Sequence, residues 1–370
     1  MIIGVPIEIK KHEYRVGLTP GHAVSYVNAG HKVYIQKGAG VGSGFMDEEY
    51  VNAGCEILPS IEDIYAAADM IIKVKEPLEP EYELMREGQI FYTYFHLAAE
   101  KELTEACLKN KIIAIAYETI VGKDGRLPCL KPMSEIAGRL SIQEGAKYLE
   151  KPFGGKGILL GGVPGVLPAN VVILGGGGVV GRNACALAVG LHSDVTVVDI
   201  SNAALTYIDD LYHGRVKTLY STEANIIDAL KNADLVIGAA LVPGAATPHL
   251  IKREYLKYMK RDSIIVDVAI DQGGCAETSR VTYHDDPVYK VDGVVHYCVG
   301  NMPGAVPGSS TLALNNATLS YGLKIAADYK KALRDDVGLS YGLNTHLGDL
   351  TIKPVADLFG LPYKSPLDVL

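Results

Sequence analysis

Val171-Val172-Ile173-Leu174-Gly175-Gly176-Gly177-Gly178-Val179-Val180-Gly181, an apolar helical run to Gly190, then Val195-Thr196-Val197-Val198-Asp199: this stretch decides the fold. It reads as strand, glycine turn, helix, strand and acid. Gly176, Gly178 and Gly181 stand in the spacing G-x-G-x-x-G, and Asp199 follows about 20 residues on, as in a dinucleotide-binding βαβ unit. The first glycine serves the tight turn, the second lets backbone approach a pyrophosphate, and the third lets helix and strand pack closely. The helix start offers N–H groups and a positive dipole end to the phosphates. A carboxylate after the second strand can hold both ribose hydroxyls and would repel a 2′-phosphate, so the residues point to NAD rather than NADP. Read structurally, the same residues are a glycine-rich turn in some other α/β sheet.

Working outward, short apolar strands alternate with helices. Upstream they fall at residues 2–5, 32–36, 70–74, 90–95 and 112–117, and downstream at 216–220, 235–239, 264–269 and 294–299. Thr19-Pro20 opens the first helix and Gly30 closes it: N-cap, proline at the first turn, glycine past the end. Repeated β-α units imply parallel sheets covered by helices on both faces. The strands are too many for one small sheet. The expected fold class is therefore α/β, with two doubly wound, Rossmann-like domains. A helical stretch at 135–151 precedes the glycine- and proline-rich segment 154–168, and a long helical pattern runs from Ser310 to about Arg334. A helix that long after the last strand suits a return to the first domain. The expected division is 1–130 for a substrate domain, 131–305 for an inserted NAD domain, and 306–370 for C-terminal helices that rejoin the first.

The chain of 370 residues suits two domains. It is 48% hydrophobic and 21% charged, the composition of a globular protein. With a net charge of −8 and no basic concentration, it has no means of following a nucleic-acid backbone. No apolar run approaches the ~18 residues of a membrane span, and Met1-Ile2-Ile3-Gly4-Val5-Pro6 reads as a first strand rather than a signal peptide. Cys55, Cys107, Cys129, Cys185, Cys275 and Cys298 form no C-x-x-C pair, which predicts reduced thiols, a cytoplasmic protein and no metal site.

Ligands of doubly wound sheets sit at the carboxyl ends of strands, so titratable residues there are the candidates. His96 follows the strand at 90–95 and suits proton transfer; the alternative is a helix cap. Lys75 follows 70–74, where Pro77 turns the chain away, and Arg15 lies in the loop after the first strand. Either cation could clamp a substrate carboxylate. A solvated basic loop describes Lys10 and Lys11 better. Asp271, before Gly273-Gly274, could order water, balance a cation or hold a ribose, or could simply make a turn.

Six segments then bear a resemblance. They are Arg15; Val74-Lys75-Glu76-Pro77; His96-Leu97-Ala98-Ala99; Met133-Ser134-Glu135-Ile136-Ala137-Gly138-Arg139; Ala269-Ile270-Asp271-Gln272-Gly273-Gly274-Cys275; and Asn301-Met302-Pro303-Gly304-Ala305-Val306-Pro307. Together, in order and over nearly the whole chain, they resemble the NAD-dependent L-alanine dehydrogenase family. The resemblance implies interconversion of L-alanine with pyruvate and ammonia. It makes Arg15 and Lys75 substrate ligands, and His96 and Asp271 the acid/base pair. It lines NAD with Ser134, Gly176, Gly178, Val179, Val180, Gly181, Asp199, Ser221, Ala240, Leu241, Val268, Ala269, Ile270, Asp271, Gly300, Asn301 and Met302. It also implies a homohexamer. The chain departs from the family pattern in its run of four glycines, in Ala204 where a basic residue is usual, and in Gly308-Ser309-Ser310 where Arg-Thr-Ser is usual. Rival readings are the cofactor-binding subunit of a proton-translocating transhydrogenase, a non-catalytic NAD sensor, or the same enzyme acting on a larger amino acid or glyoxylate.

Overall fold

The computed structural model describes residues 1–240 and 247–370. These divide into two compact units, one of residues 1–133 with 306–370 and one of residues 134–305.

The first unit is built on strands β1 (Ile2–Val5), β2 (Lys32–Gln36), β3 (Glu56–Leu58), β4 (Met70–Ile72), β5 (Ile90–Thr93) and β6 (Ile113–Ala116). They lie in the order β3-β2-β1-β4-β5-β6, all parallel. The second unit holds β7 (Asn170–Leu174), β8 (Asp194–Asp199), β9 (Lys217–Tyr220), β10 (Leu235–Gly238), β11 (Ile264–Asp267), β12 (Val288–Val291) and β13 (Val294–Tyr297). Its parallel strands run β9-β8-β7-β10-β11-β13. Each unit thus has the doubly wound order 3-2-1-4-5-6. In each, successive crossovers move outward from the first strand, then jump back past it.

The sheets are not purely parallel. In the first unit β14 (Leu343–His346) pairs antiparallel with β6, and β15 (Asp349–Leu350) pairs antiparallel with β14. In the second, β12 pairs antiparallel with β13. The antiparallel additions are edge hairpins, and the short β3 also lies at an edge. Their sequences lack the long apolar run of a strand buried on both faces, so a search for such runs passes over them. The predicted 2–5 and 32–36 strands have the observed bounds, whereas 264–269 ends early, at Asp267.

The first helix, Pro20–Asn28, carries Thr19 as its N-cap, with Oγ1 accepting from the His22 N–H. The long C-terminal helix, Pro307–Asp335, is interrupted at Asp328, where φ is −165° and ψ 98°. It buries Thr311, Leu314, Asn315, Thr318, Gly322 and Ile325, spaced at helical intervals. Two of these brace the loop after β1: Thr311 Oγ1 accepts from Val16 N–H (3.3 Å) and Asn315 Oδ1 from Thr19 N–H (2.9 Å). The last stretch of chain therefore fixes the loop that carries Arg15.

At Gly322 the helix passes so close to the first helix and to β5 that a Cβ would stand 2.0 Å from the Tyr26 hydroxyl and 3.1 Å from Tyr92. Gly322→Ala is expected to cost on the order of 1–3 kcal/mol through overpacking, despite its gain in helix propensity. Much of that loss should return in a Tyr26→Phe background, where the clashing oxygen is gone. Thermal unfolding of the single and double variants checks this, and an unchanged midpoint for Gly322→Ala would contradict the contact.

Candidate functional site

In the second unit, the carboxyl ends of the strands collect the residues expected at a dinucleotide. The strand order reverses between β7 and β10, the position at which a doubly wound sheet takes its ligand. Gly175 ends β7 with φ +83°, and a Cβ on it would lie 2.5 Å from the Ala240 backbone. The left-handed turn residue is therefore Gly175, one place before the fingerprint, and not Gly176 as expected; the fourth glycine absorbs the turn. Gly176 is excluded from carrying a side chain by Val197, 2.2 Å from its ideal Cβ. Gly181 packs its helix on the turn, its ideal Cβ 2.5 Å from Gly175 O and Gly176 Cα. Gly178 differs in kind. A Cβ there would meet only Gly175 O, at 3.7 Å, in front of the helix Val179–Gly190 that it caps. Open space before a helix start is where a pyrophosphate fits.

Asp199 ends β8. Its Oδ2 accepts from Gly177 N–H (2.7 Å) and its Oδ1 from Ser201 N–H (2.8 Å). These donors fix the carboxylate while leaving lone pairs on both oxygens for ribose hydroxyls. Ser221 follows β9, with its N–H on Asp199 O (2.9 Å). Ala204 is buried, and its methyl is 2.5 Å from where a Gly177 Cβ would be. Val268, Ala269, Ile270 and Asp271 follow β11, while Gly300, Asn301 and Met302 follow β13. Asp271 sits in the short turn Ile270–Gln272, close enough to Gly300 that a Cβ there would be 3.0 Å from Asp271 Oδ1. Ser134 lies on the helix Lys131–Tyr148. Leu241 lies outside the described residues.

Asp267, overlooked in the sequence, organises this edge. Buried at the end of β11, it accepts from Ala269 N–H (3.2 Å), Cys275 N–H (2.7 Å), Ala276 N–H (3.2 Å) and Ser279 Oγ–H (2.5 Å). Burial raises its carboxyl above the ordinary aspartate value against these donors. The loop that carries Asp271 is thus wrapped around a buried carboxylate. An acid closing a buried strand was the available signal.

The first unit has its own reversal, between β1 and β4, and the loops leaving these strands bring Arg15 and Lys75. The Arg15 guanidinium is 2% exposed and held side-on by Glu13: Nε donates to Oε1 (2.6 Å) and Nη2 to Oε2 (2.5 Å). Nη1 points to Met133 Sδ, 3.1 Å away. Lys75 is different. Its ammonium forms no ion pair among the described residues, and burial pushes it below the usual lysine range, with Arg15 adding to the effect. Lys10 pairs with Glu76, and so is not simply solvated.

Beneath these loops, Glu8 accepts from Val74 N–H (2.6 Å) and Lys75 N–H (3.3 Å). The buried Lys73 ammonium pairs with Glu81 (2.6 Å) and lies 3.6 Å from Glu8, and Tyr65 donates to Glu81 (2.7 Å). Burial drives the Glu8 carboxyl up to about 7, with Glu13 and Glu81 adding to the rise and Lys73 and the Val74 N–H opposing it. Neither Glu8 nor Lys73 was among the candidates. Their charges sit in mixed stretches of sequence, and only burial distinguishes them.

His96 follows β5 in the left-handed region (φ 51°, ψ 39°), a conformation costing a non-glycine residue on the order of 1–2 kcal/mol. Glu118, just past the neighbouring strand β6, accepts from Phe95 N–H (3.0 Å) and His96 N–H (2.6 Å), which holds that turn in place. The ring stacks on Tyr94 at 5.8 Å and 10°, with Nδ1 4.0 Å from Glu118 Oε1 and 45% of the side chain exposed. It makes no side-chain cap to the short turn Leu97–Ala99, so the helix-cap alternative does not hold. The first unit therefore gathers two cations and an imidazole at one sheet edge, and the second a glycine turn open at a helix start and an anchored acid.

The two cations should separate in denaturation. Arg15→Met strips Glu13 of its buried guanidinium, an expected loss of about 3–5 kcal/mol. Lys75→Met removes a desolvated cation that has no ion pair, and should leave stability equal or higher. A Lys75→Met variant as unstable as Arg15→Met would make Lys75 a structural charge.

Residues 4–137 match the family model for the N-terminal domain of alanine dehydrogenase/PNT, and residues 141–353 the model for its C-terminal domain. An alanine dehydrogenase of Methanococcus maripaludis is 55% identical over 365 residues, 98% of each chain. One of Staphylococcus haemolyticus is 51% identical over 372 residues, covering 100% of this chain and 99% of the other. The solved structure of an L-alanine dehydrogenase, 51% identical, superposes with a TM-score of 0.95 over 97% of this chain and 99% of that one. A transhydrogenase from Sinorhizobium meliloti, 23% identical, shares the fold with a TM-score of 0.83 over 95% and 100% of the two chains. Matched in order by both family models and by relatives of its own length, the chain belongs to the alanine dehydrogenase/PNT family.

Proposed function

We propose that this chain catalyses oxidative deamination of L-alanine to pyruvate and ammonia, with NAD as hydride acceptor, and the reverse reductive amination. The observation that carries the reading is Lys75: a partly buried ammonium without an ion pair among the described residues, beside Arg15, at the strand reversal of the first unit. A partly desolvated cation without an ion pair favours an anion beside it, and a small carboxylate meets that need. A hydride relay with no small substrate, or an NAD sensor, has no use for it.

In this reading the substrate carboxylate lies on Arg15 and Lys75. Arg15 supplies geometry, because Glu13 already orients it. Lys75 supplies unbalanced charge, and steadies the carbonyl or carbinolamine oxygen as negative charge develops there. His96 accepts the proton that leaves the substrate nitrogen. After iminopyruvate forms, His96 and Asp271 assist addition of water, and the carbinolamine collapses to pyruvate and ammonia. Bound NAD would supply the acceptor for the hydride from the α-carbon. The residues that would hold it are Gly178, Val179, Val180 and Asp199, with Ser134, Ser221, Ala240 and the loops after β11 and β13. The open space at Gly178 and the anchored Asp199 fit such a group.

The family resemblance extends the proposal to a homohexamer in the cytoplasm. All six cysteines are free and buried, as suits a reducing compartment. No helix among the described residues is long and apolar enough to cross a membrane.

The direct test is reduction of NAD by L-alanine at alkaline pH, with D-alanine, L-serine and L-leucine in parallel. Turnover confined to L-alanine supports the reading, and none with any of them, in a chain that binds NAD, rejects it. His96→Ala should lose on the order of 10²–10⁴ in kcat. A kcat within twofold of wild type would remove His96 from the mechanism. Gly178→Val should fold normally, since its side chain meets open space, but should lose NADH binding measured by fluorescence; undiminished binding would place the pyrophosphate elsewhere.

A further inference from the structure

The first unit's charges are balanced in an unusual way. Arg15 is matched by Glu13 and Lys10 by Glu76. Lys73 is shared between two carboxylates, Glu81 at 2.6 Å and Glu8 at 3.6 Å. One negative charge is left over at Glu8 and one positive charge at Lys75, and the Glu8 carboxylate is bonded to the very backbone that carries Lys75. The groups that face Glu8 are Lys73, Glu81, Glu13 and Arg15, together with the Tyr65 and Tyr117 hydroxyls. With Glu8 ionised, the four cations Lys10, Arg15, Lys73 and Lys75 equal in number the four carboxylates Glu8, Glu13, Glu76 and Glu81.

A substrate carboxylate on Arg15 and Lys75 adds one negative charge to this buried set. Something must then give up negative charge, or the anion binds against it. We infer that Glu8 is a positioning residue for Lys75 that takes up a proton when a carboxylate binds to the Arg15–Lys75 pair. This rests on the substrate reading above.

Glu8 is the member best suited to the part. Glu13 has a bidentate guanidinium and Glu81 has the nearer end of Lys73 with the Tyr65 hydroxyl, so protonating either would break a direct ion pair. Glu8 has a longer contact with a lysine already satisfied. Once protonated, it keeps a carbonyl oxygen to accept from Val74 N–H, so the Lys75 loop stays in register. Its burial already drives the carboxyl up to about 7, where a modest further rise converts into proton uptake near neutrality. The consequence is asymmetric. Pyruvate, a net anion, should draw the proton in; zwitterionic alanine, which brings its own positive charge, should draw in less.

Calorimetric titration of pyruvate into the full chain saturated with NADH, without ammonia, tests this in two buffers of different ionisation heat slightly above neutral pH. Wild type should take up a substantial fraction of a proton per site, and its pyruvate affinity should fall by up to tenfold per pH unit above the Glu8 pKa. Glu8→Gln should bind pyruvate with no uptake and with affinity flat over the same range. Glu8→Asp should restore the linkage. His96→Gln, which removes the imidazole at the end of β5, should retain it. Uptake through Lys75 would survive in Glu8→Gln. Pyruvate binding without uptake in wild type overturns the inference alone, as does equal uptake in Glu8→Gln or its loss in His96→Gln. Failure of pyruvate to bind overturns the substrate reading with it. Should Glu8→Gln not fold, the wild-type, Glu8→Asp and His96→Gln titrations still decide.

Discussion

The reversal of strand order beside the first strand is the constraint on which everything else depends. In each unit the chain builds three parallel strands outward in one direction and then returns past the first to build three in the other. Right-handed crossovers place the helices of the two halves on opposite faces. The chain leaving β1 and the chain leaving β4 therefore part at the carboxyl edge, and the same strand order puts the reversal of the second unit between β7 and β10. Backbone N–H groups and strand-end side chains are exposed at each parting. Sequence decides only what each crevice takes. Four glycines and Asp199 give the second an open helix start beside an anchored acid; Arg15 and Lys75 give the first two cations.

The two crevices use charge differently. In the second unit the anchoring is done by neutral donors to fixed carboxylates: Gly177 and Ser201 N–H on Asp199, and four donors on Asp267. The carboxylates shape loops, and the space they shape is left open at Gly178. In the first unit charges oppose charges, most of them buried. An ion pair taken out of water gives little net stability, and a broken one costs a great deal. The Glu13–Arg15 and Glu81–Lys73 pairs are therefore better understood as holding geometry than as sources of stability, with Lys75 kept unsatisfied between them.

Much of this was legible in the sequence, for a physical reason. Strands buried on both faces need continuous apolar runs, and such runs at 2–5, 170–174 and 235–239 stand out from the helices between them. Asp199 is legible because its distance from the glycines is set by the length of one helix and one strand. His96, Lys75 and Asp271 are legible as titratable groups just past apolar runs. What escaped were features set by partners far along the chain. Glu118 anchors the turn at His96 only because β6 lies beside β5. Glu8 matters only because β1 lies beside β4. The edge strands β12, β14 and β15 carry little apolar signal. The turn residue Gly175 was missed by one place because four consecutive glycines look alike until one adopts a positive φ.

The placement of His96 shows how these layers combine. Its backbone is held in a left-handed conformation that few side chains favour, and its ring makes no cap bond to the short turn that follows. That strain persists because Glu118 accepts from two successive N–H groups at the turn, and because Tyr94 supports the ring by stacking. A histidine needed only to start a helix would adopt an ordinary extended conformation and use its side chain as a cap. The imidazole at the end of β5 is instead held by Tyr94 stacked on its ring and Glu118 4.0 Å from Nδ1, with 45% of the side chain still exposed. Expenditure of this kind on one exposed ring makes sense where the ring must meet something that is not part of the chain.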